Sequence, residues 1–104
     1  MARMTLEELQ AKHPAADHEA YDQARASALL AGALAELVHA MRTSAGLTQV
    51  ELARRMGTTQ SSIARIEGGG TVPRIEMLAR LARATGIPVH LGAAGVGDIE
   101  IGAA

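Results

Sequence analysis

Residues Gln49 to Glu67 read QVELARRMGTTQSSIARIE, and the spacing of small, permissive and branched residues here predicts two short helices that cross at a tight turn. Helices can cross closely only where small side chains lie at the contact, and Ala53 meets that requirement. Gly57 can adopt the positive φ angle of the turn, and Ile63 can fill the crossing with a stiff branched side chain. The fold is therefore expected to be organised around this segment.

Signals for the helix ends agree with this interpretation. Thr48 followed by Glu51 has the pattern of a capping box, and Thr59 is a suitable N-cap for the second helix. Four apolar residues supply an inward stripe, namely Leu52, Met56, Ile63 and Ile66. Together these features predict a helix-turn-helix motif. The alternative is an ordinary helical hairpin that binds no nucleic acid.

The run from about Leu34 to His90 resembles the lambda-repressor-like family, also called XRE or Cro/C1-type regulators. The matching residues are GLTQ at Gly46–Gln49, GTTQSSI at Gly57–Ile63, RIE at Arg65–Glu67 and LARATGI at Leu81–Ile87. The resemblance implies an all-α bundle that binds double-stranded operator DNA as a homodimer, with its recognition helices in successive major grooves. The chain departs from the family pattern after the second helix, where Gly68 and Gly70 replace an Asn and a basic residue.

The resemblance also implies individual roles, because the second helix of the motif lies in the major groove in this family. Base contacts are expected from Gln60, Ser61, Ala64 and Arg65. Phosphate contacts are expected from Gln49, Thr58, Thr59, Ser62 and Arg74. Gln suits adenine, Arg suits guanine, and an Ala methyl can only touch thymine. Family counterparts of Arg42 and Glu67 form a structural ion pair, and Gln49 is expected to brace Gln60.

Charge is unevenly distributed, although the net charge of the chain is only −1. Residues 1–41 carry three basic and six acidic side chains, residues 42–83 carry seven Arg and three Glu, and residues 84–104 carry two acidic side chains. The resulting segment charges of −3, +4 and −2 put the positive charge on the helix-turn-helix, as phosphate binding requires. An arginine-rich face that is merely solvated is the alternative.

Three regions are predicted along the chain. They are an N-terminal helical arm at 1–33, the helix-turn-helix DNA-binding domain at 34–87, and a C-terminal strand or hairpin tail at 88–104. The arm is similar in layout to the extensions of HigA-type antitoxins, which bind operator DNA and neutralise a small ribonuclease toxin. Its negative charge suits a basic partner. The alternative is an arm that packs on a sister subunit.

The arm is predicted to be helical on both sides of Pro14. Thr5 followed by Glu8 is a second capping box, and Pro14 ends the short helix that it begins. Helical character then continues to Ala45, either as one helix or as two helices broken near Gly32. Four apolar residues in its second half are predicted to face the core, namely Leu34, Leu37, Val38 and Met41.

After the motif, GGGTVP at 68–73 predicts a loop, and Pro73 introduces a helix from about Arg74 to Thr85. Gly86 is expected to end this helix as a C-cap. Its inward residues are predicted to be Ile75, Leu78, Leu81 and Ala82. The triple glycine lacks the preceding strand and the following Lys of a nucleotide-binding loop.

The tail changes to a period of two, which is typical of strands. Val89, Leu91 and Ala93 alternate with polar or small residues, as do Ile99 and Ile101. This pattern predicts a hairpin with its turn at 94–97. Because an isolated hairpin is marginal in water, its strands are expected to join the sheet of a second copy or of a toxin. A disordered tail is the alternative.

The sequence contains no recognisable catalytic constellation or metal site. Cysteine is absent, which removes disulfides and thiolate chemistry, and the four His lack the spacing of a helical metal pair. No apolar run has membrane-spanning length, and a signal-peptide pattern is missing. We expect a cytoplasmic, non-enzymatic transcriptional repressor without cofactors or metal, most consistent with an antitoxin. A stand-alone regulator and a protein-interaction module are the alternatives.

Overall fold

A computed structural model describes residues 15–102 of the chain. Its four helices are α1 (Ala15–Ser44), α2 (Gln49–Met56), α3 (Gln60–Glu67) and α4 (Ile75–Thr85), and they precede the strands β1 (Val89–Ala93) and β2 (Gly97–Ile101). The predicted class, a helical bundle with a helix-turn-helix and a short C-terminal hairpin, is confirmed. The short helix predicted after Thr5 lies outside the described residues.

The long α1 is a single helix of 30 residues, so the break considered at Gly32 does not occur. A glycine in a helix costs only about 1 kcal/mol relative to Ala, and the Ala and Leu residues around it are strong helix formers. The helix α1 packs on α3 and α4 through residues such as Val38 and Met41, whereas Leu29 and Leu30 near its middle remain exposed.

One apolar core joins the four helices to the base of the hairpin. Its most deeply buried side chains are Leu52, Ile63 and Leu81. The inward stripe predicted for the motif is buried as expected. Buried too are Val38 and Met41 on α1 and Leu78, Leu81 and Ala82 on α4.

Two predicted core residues are in fact exposed, Leu37 and Ile75. On α1, Val38 and Met41 are buried in the core, whereas Leu37 is 39% exposed and Leu34 is only half-buried. Ile75 is the first residue of α4, and the buried part of that helix begins one turn later. In both cases the apolar spacing extends beyond the surface that the neighbouring helices cover.

The tail forms the predicted antiparallel hairpin, with Val89 opposite Ile101 and Leu91 opposite Ile99. The first pair is buried in the core, and the second is exposed. Gly102, the residue after β2, lies directly against α4. A Cβ atom at this position would be 2.6 Å from the Ala79 carbonyl oxygen. The base of the hairpin is therefore fixed on α4, while its far end projects from the helical body.

Candidate nucleic-acid interface

The turn between α2 and α3 is built by the local signals predicted from the sequence. Thr48 Oγ1 accepts a hydrogen bond of 3.1 Å from the Glu51 backbone N–H, and Glu51 Oε1 accepts one from the Thr48 N–H. Gly57 has φ 68° and ends α2 in the left-handed conformation. Thr59 Oγ1 then accepts the Ser62 N–H and begins α3. These bonds fix the residues at which α2 begins and ends and at which α3 begins.

The outer face of α3 carries the residues expected to contact bases. Gln60, Ser61 and Arg65 are exposed, and Ala64 between them is half-buried. Residues separated by three or four positions share one side of a helix, so this set forms one surface. The opposite side of α3 is buried through Ile63 and Ile66.

The two glutamines at the helix starts are joined directly. Gln60 Nε2 donates a hydrogen bond of 2.8 Å to Gln49 Oε1, which links the first residue of α3 to the first residue of α2. The bond leaves the Gln60 carbonyl oxygen and its second N–H free, and adenine needs one acceptor and one donor of this kind. The Gln49 N–H groups also stay available to an anionic oxygen.

The expected phosphate-binding residues surround this surface. Thr59 and Arg74 are exposed, and Thr58 and Ser62 are half-buried. Arg65 and Arg74 line a groove of about 660 Å³ between α3 and the start of α4. Arg80 also lines it, with Nη2 2.6 Å from Glu76 Oε1. Sequence analysis did not single out Arg80, although its spacing from Glu76 is that of a helical ion pair.

Arg42 and Glu67 form a two-pronged ion pair that fastens α1 to the end of α3. Arg42 Nε lies 2.8 Å from Glu67 Oε2, and Arg42 Nη2 lies 2.9 Å from Oε1. A third donor was missed from the sequence, since His39 Nδ1 lies 2.8 Å from Glu67 Oε1. His39 is three residues before Arg42 on α1, so helical spacing alone would have put both on one face. Arg42 also donates to the Leu47 carbonyl oxygen.

The Glu67 carboxylate remains charged although its side chain is only 6% exposed. Burial raises the pKa of this carboxyl, but hydrogen bonds from Arg42 and His39 and the positive charge of Arg42 outweigh burial, so the pKa is lowered. The folded protein therefore binds a proton at Glu67 less readily than the unfolded chain does. Glu67 stabilises the fold above its ordinary pKa of 4.5, and this contribution is lost as the pH falls through the lower folded value.

This linkage gives an expected pH dependence for a Glu67→Gln variant. The wild type should be more stable than the variant near neutral pH, and the difference in unfolding free energy should shrink as the pH falls below 4.5. Urea unfolding of both proteins at a series of pH values measures this difference in unfolding free energy. Hydrogen bonds from Thr48 lower the pKa of Glu51 as well, and comparison with the variant removes that shared contribution. A difference that stays constant with pH would contradict the assignment.

The loop after α3 is tied to that helix by its own backbone. Gly68 N–H and Gly70 N–H donate to the carbonyl oxygens of Ala64 and Arg65 at 2.9 and 3.0 Å. A Cβ atom at position 70 would lie 3.2 Å from Arg65 Cγ. Gly70 therefore lets the chain pass close beside the Arg65 stem.

Within residues 18–102, no group of three or more His, Asp or Glu side chains is arranged to hold a metal ion. The helices of the described region also lack the combination of length and apolar character that crossing a bilayer requires.

Comparison with known families shows a match over the helical body. The model of a helix-turn-helix domain matches residues 33–94, which make up more than half of the chain and include α2, α3 and α4. No solved structure matches the chain.

Proposed function

Because the chain belongs to the helix-turn-helix domain family, in its lambda-repressor-like class, we propose that it is a sequence-specific DNA-binding transcriptional repressor. The single observation that carries the proposal is the exposed face of α3 with the Gln49–Gln60 hydrogen bond at its start. A side-chain amide that is already oriented loses less freedom on meeting a base edge than a free one does. Gln60, Ser61 and Arg65 are proposed to read bases, with a minor methyl contact from Ala64.

Charge supports the proposal once the internal ion pairs are set aside. In residues 42–83, Arg42 is paired with Glu67, and Arg80 with Glu76. The remaining charged side chains are five exposed arginines and one exposed glutamate, namely Arg54, Arg55, Arg65, Arg74, Arg83 and Glu51. This excess of unpaired positive charge suits the phosphate backbone, so binding should weaken steeply as salt rises.

The test is binding to a labelled fragment of the chain's own upstream promoter by wild type and by a Gln60→Ala/Arg65→Ala double variant. Each base contact discriminates by about 1 to 3 kcal/mol, so the double variant should lose about 2 to 6 kcal/mol of specific affinity. The matched control is Gln23→Ala/Arg25→Ala, which removes the same two side-chain types from exposed positions on α1. Equal loss in both variants, or none in either, would refute the assignment of α3.

We also propose the setting of an antitoxin that represses its own operon and neutralises a small basic ribonuclease toxin. The support is the exposed surface of α1, where Leu29, Leu30 and Leu37 accompany the acidic Glu19, Asp22 and Glu36. Exposed leucines on the same helix as exposed acidic side chains suit a basic protein partner. A stand-alone regulator would lack such a partner.

Co-expression with a small basic reading frame adjacent in the genome tests this setting. Stable co-purification that is lost in a Leu30→Lys/Leu37→Lys variant would support it. Failure to form any complex would refute the antitoxin setting, and the repressor proposal would be unaffected. Homodimerisation, with two copies of the domain at 34–87 on successive major grooves, is part of the same proposal.

A further inference from the structure

The far half of the hairpin has an apolar face that nothing in the described residues covers. Leu91 on β1 is 51% exposed and Ile99 opposite it is 61% exposed. They lie on the same face as the buried pair Val89 and Ile101, because paired residues share a face and side chains alternate along a strand. The core-facing surface of the hairpin therefore continues outward beyond α4.

The two outer edges of the hairpin differ in charge. Within the described residues the sheet has two strands only, so neither outer edge is paired. The β2 edge carries Asp98 and Glu100, whereas β1 carries His90 as its one titratable residue. Charged side chains are a common way to keep a strand edge from pairing. By this criterion the β2 edge is protected and the β1 edge is open.

A second copy fits the β1 edge and does not fit the β2 edge. Antiparallel pairing of two β2 strands about Ile99 would put Asp98 of each copy opposite Glu100 of the other, and like charges directly opposite are destabilising. Pairing of two β1 strands about Leu91 puts His90 opposite Gly92, with no like-charged pair. His90 already lies 3.8 Å from Asp98 within its own hairpin.

We propose that two copies of this chain pair through their β1 edges, with the two-fold axis at Leu91. The result is one four-stranded antiparallel sheet in the order β2, β1, β1, β2. Its apolar face runs Ile99, Leu91, Leu91, Ile99 across both copies. The inference rests on the homodimer of the proposed function and assigns its interface. Such a self-complementary contact closes after two subunits, because the same strand is used on both sides.

The test uses the absence of cysteine in the natural chain, because a single Leu91→Cys substitution gives one thiol per copy. Residues paired across the axis have Cα atoms about 4.5 to 5.5 Å apart, within the range of a disulfide. Ile99→Cys is the control, since its two copies are separated by three strand spacings, about 14 Å. Under mild oxidation of the full chain, Leu91→Cys should cross-link at least about tenfold faster. Equal rates would overturn the proposal.

Sedimentation analysis of the full chain provides a second measurement. Leu91→Lys puts two like charges face to face at the axis and should shift the dimer to monomer, whereas Ile99→Lys keeps its charges beyond the screening length of about 8 Å and should not. A Leu91→Lys dimer as stable as the wild type would overturn the β1 interface and leave the homodimer standing. A monomeric wild type would overturn both the β1 interface and the homodimer. The DNA-binding proposal is tested separately, by binding to the promoter fragment.

Discussion

Glu67→Ala is expected to lower the free energy of unfolding by about 3 to 5 kcal/mol, because it removes one partner of an ion pair whose side chains are only 14% and 6% exposed. Three hydrogen bonds to the Glu67 carboxylate would be lost, two from Arg42 and one from His39. The Arg42 guanidinium would keep its bond to the Leu47 carbonyl oxygen and its 3.2 Å contact with His39 Nδ1, but would lose its charged partner. Urea unfolding of wild type and variant near neutral pH measures the effect.

The control for this substitution is Glu76→Ala, which breaks a second arginine pair of the same chain. Arg80 Nη2 lies 2.6 Å from Glu76 Oε1, closer than any bond in the Arg42 pair, but Glu76 is exposed. Exposed pairs contribute about 0 to 1 kcal/mol because water screens them. Burial, and not distance, should therefore decide the order of the two effects. An unchanged melting temperature for Glu67→Ala would rule out its structural role.

Ile63→Ala is expected to cost about 2 to 5 kcal/mol, the range for deleting a large apolar side chain from a close-packed core. Ile63 is 0% exposed and lies on the inner side of α3, in the cluster shared with α1, α2 and α4. The cavity left behind would lie where the two helices of the motif cross. Thermal and urea unfolding measure the loss, and specific DNA binding should fall with it at temperatures near the lowered midpoint.

Ile75→Ala is the matched control, since it makes the same substitution on a helix of the same chain. Ile75 is 54% exposed, and substitutions of exposed residues usually change stability by no more than about 0.5 kcal/mol. Alanine is also the better helix former, which partly offsets the lost apolar contact. A cost for Ile75→Ala equal to that for Ile63→Ala would contradict the burial of these two residues.

The predictable parts of the interface depend on residues close together in sequence. The Thr48 cap, the Gly57 turn and the Thr59 cap each involve bonds within about one helical turn, so their residue types are sufficient to identify them. The pair of Arg42 and Glu67 is 25 positions apart, and only the resemblance to a family predicts it from the sequence. His39 approaches the same carboxylate across 28 positions; its helical spacing puts it on the same face as Arg42, but spacing alone does not show that it reaches Glu67.

The core predictions are wrong where the apolar stripe of a helix extends beyond the surface that its neighbours cover. The spacing of Leu37 and Ile75 is that of core residues, but the neighbouring helices do not reach them. Sequence periodicity reports which side of a helix is apolar, and it does not report how much of that side a neighbour covers. The sequence also leaves open whether α1 continues through Gly32. One glycine changes helix stability by only about 1 kcal/mol, which is too little to decide between one helix and two.

The sequence by itself determined the helix-turn-helix, its caps, its positive charge and the hairpin, because these features follow from backbone conformation, side-chain period and charge count. Only the tertiary structure decided that His39 joins the Glu67 ion pair, that Arg80 shares a groove with Arg65, and that Leu91 stays exposed beside the buried Val89. Each of these depends on the distance between elements that are separate in sequence. That distance is set by the packing of the whole core, which no short pattern encodes.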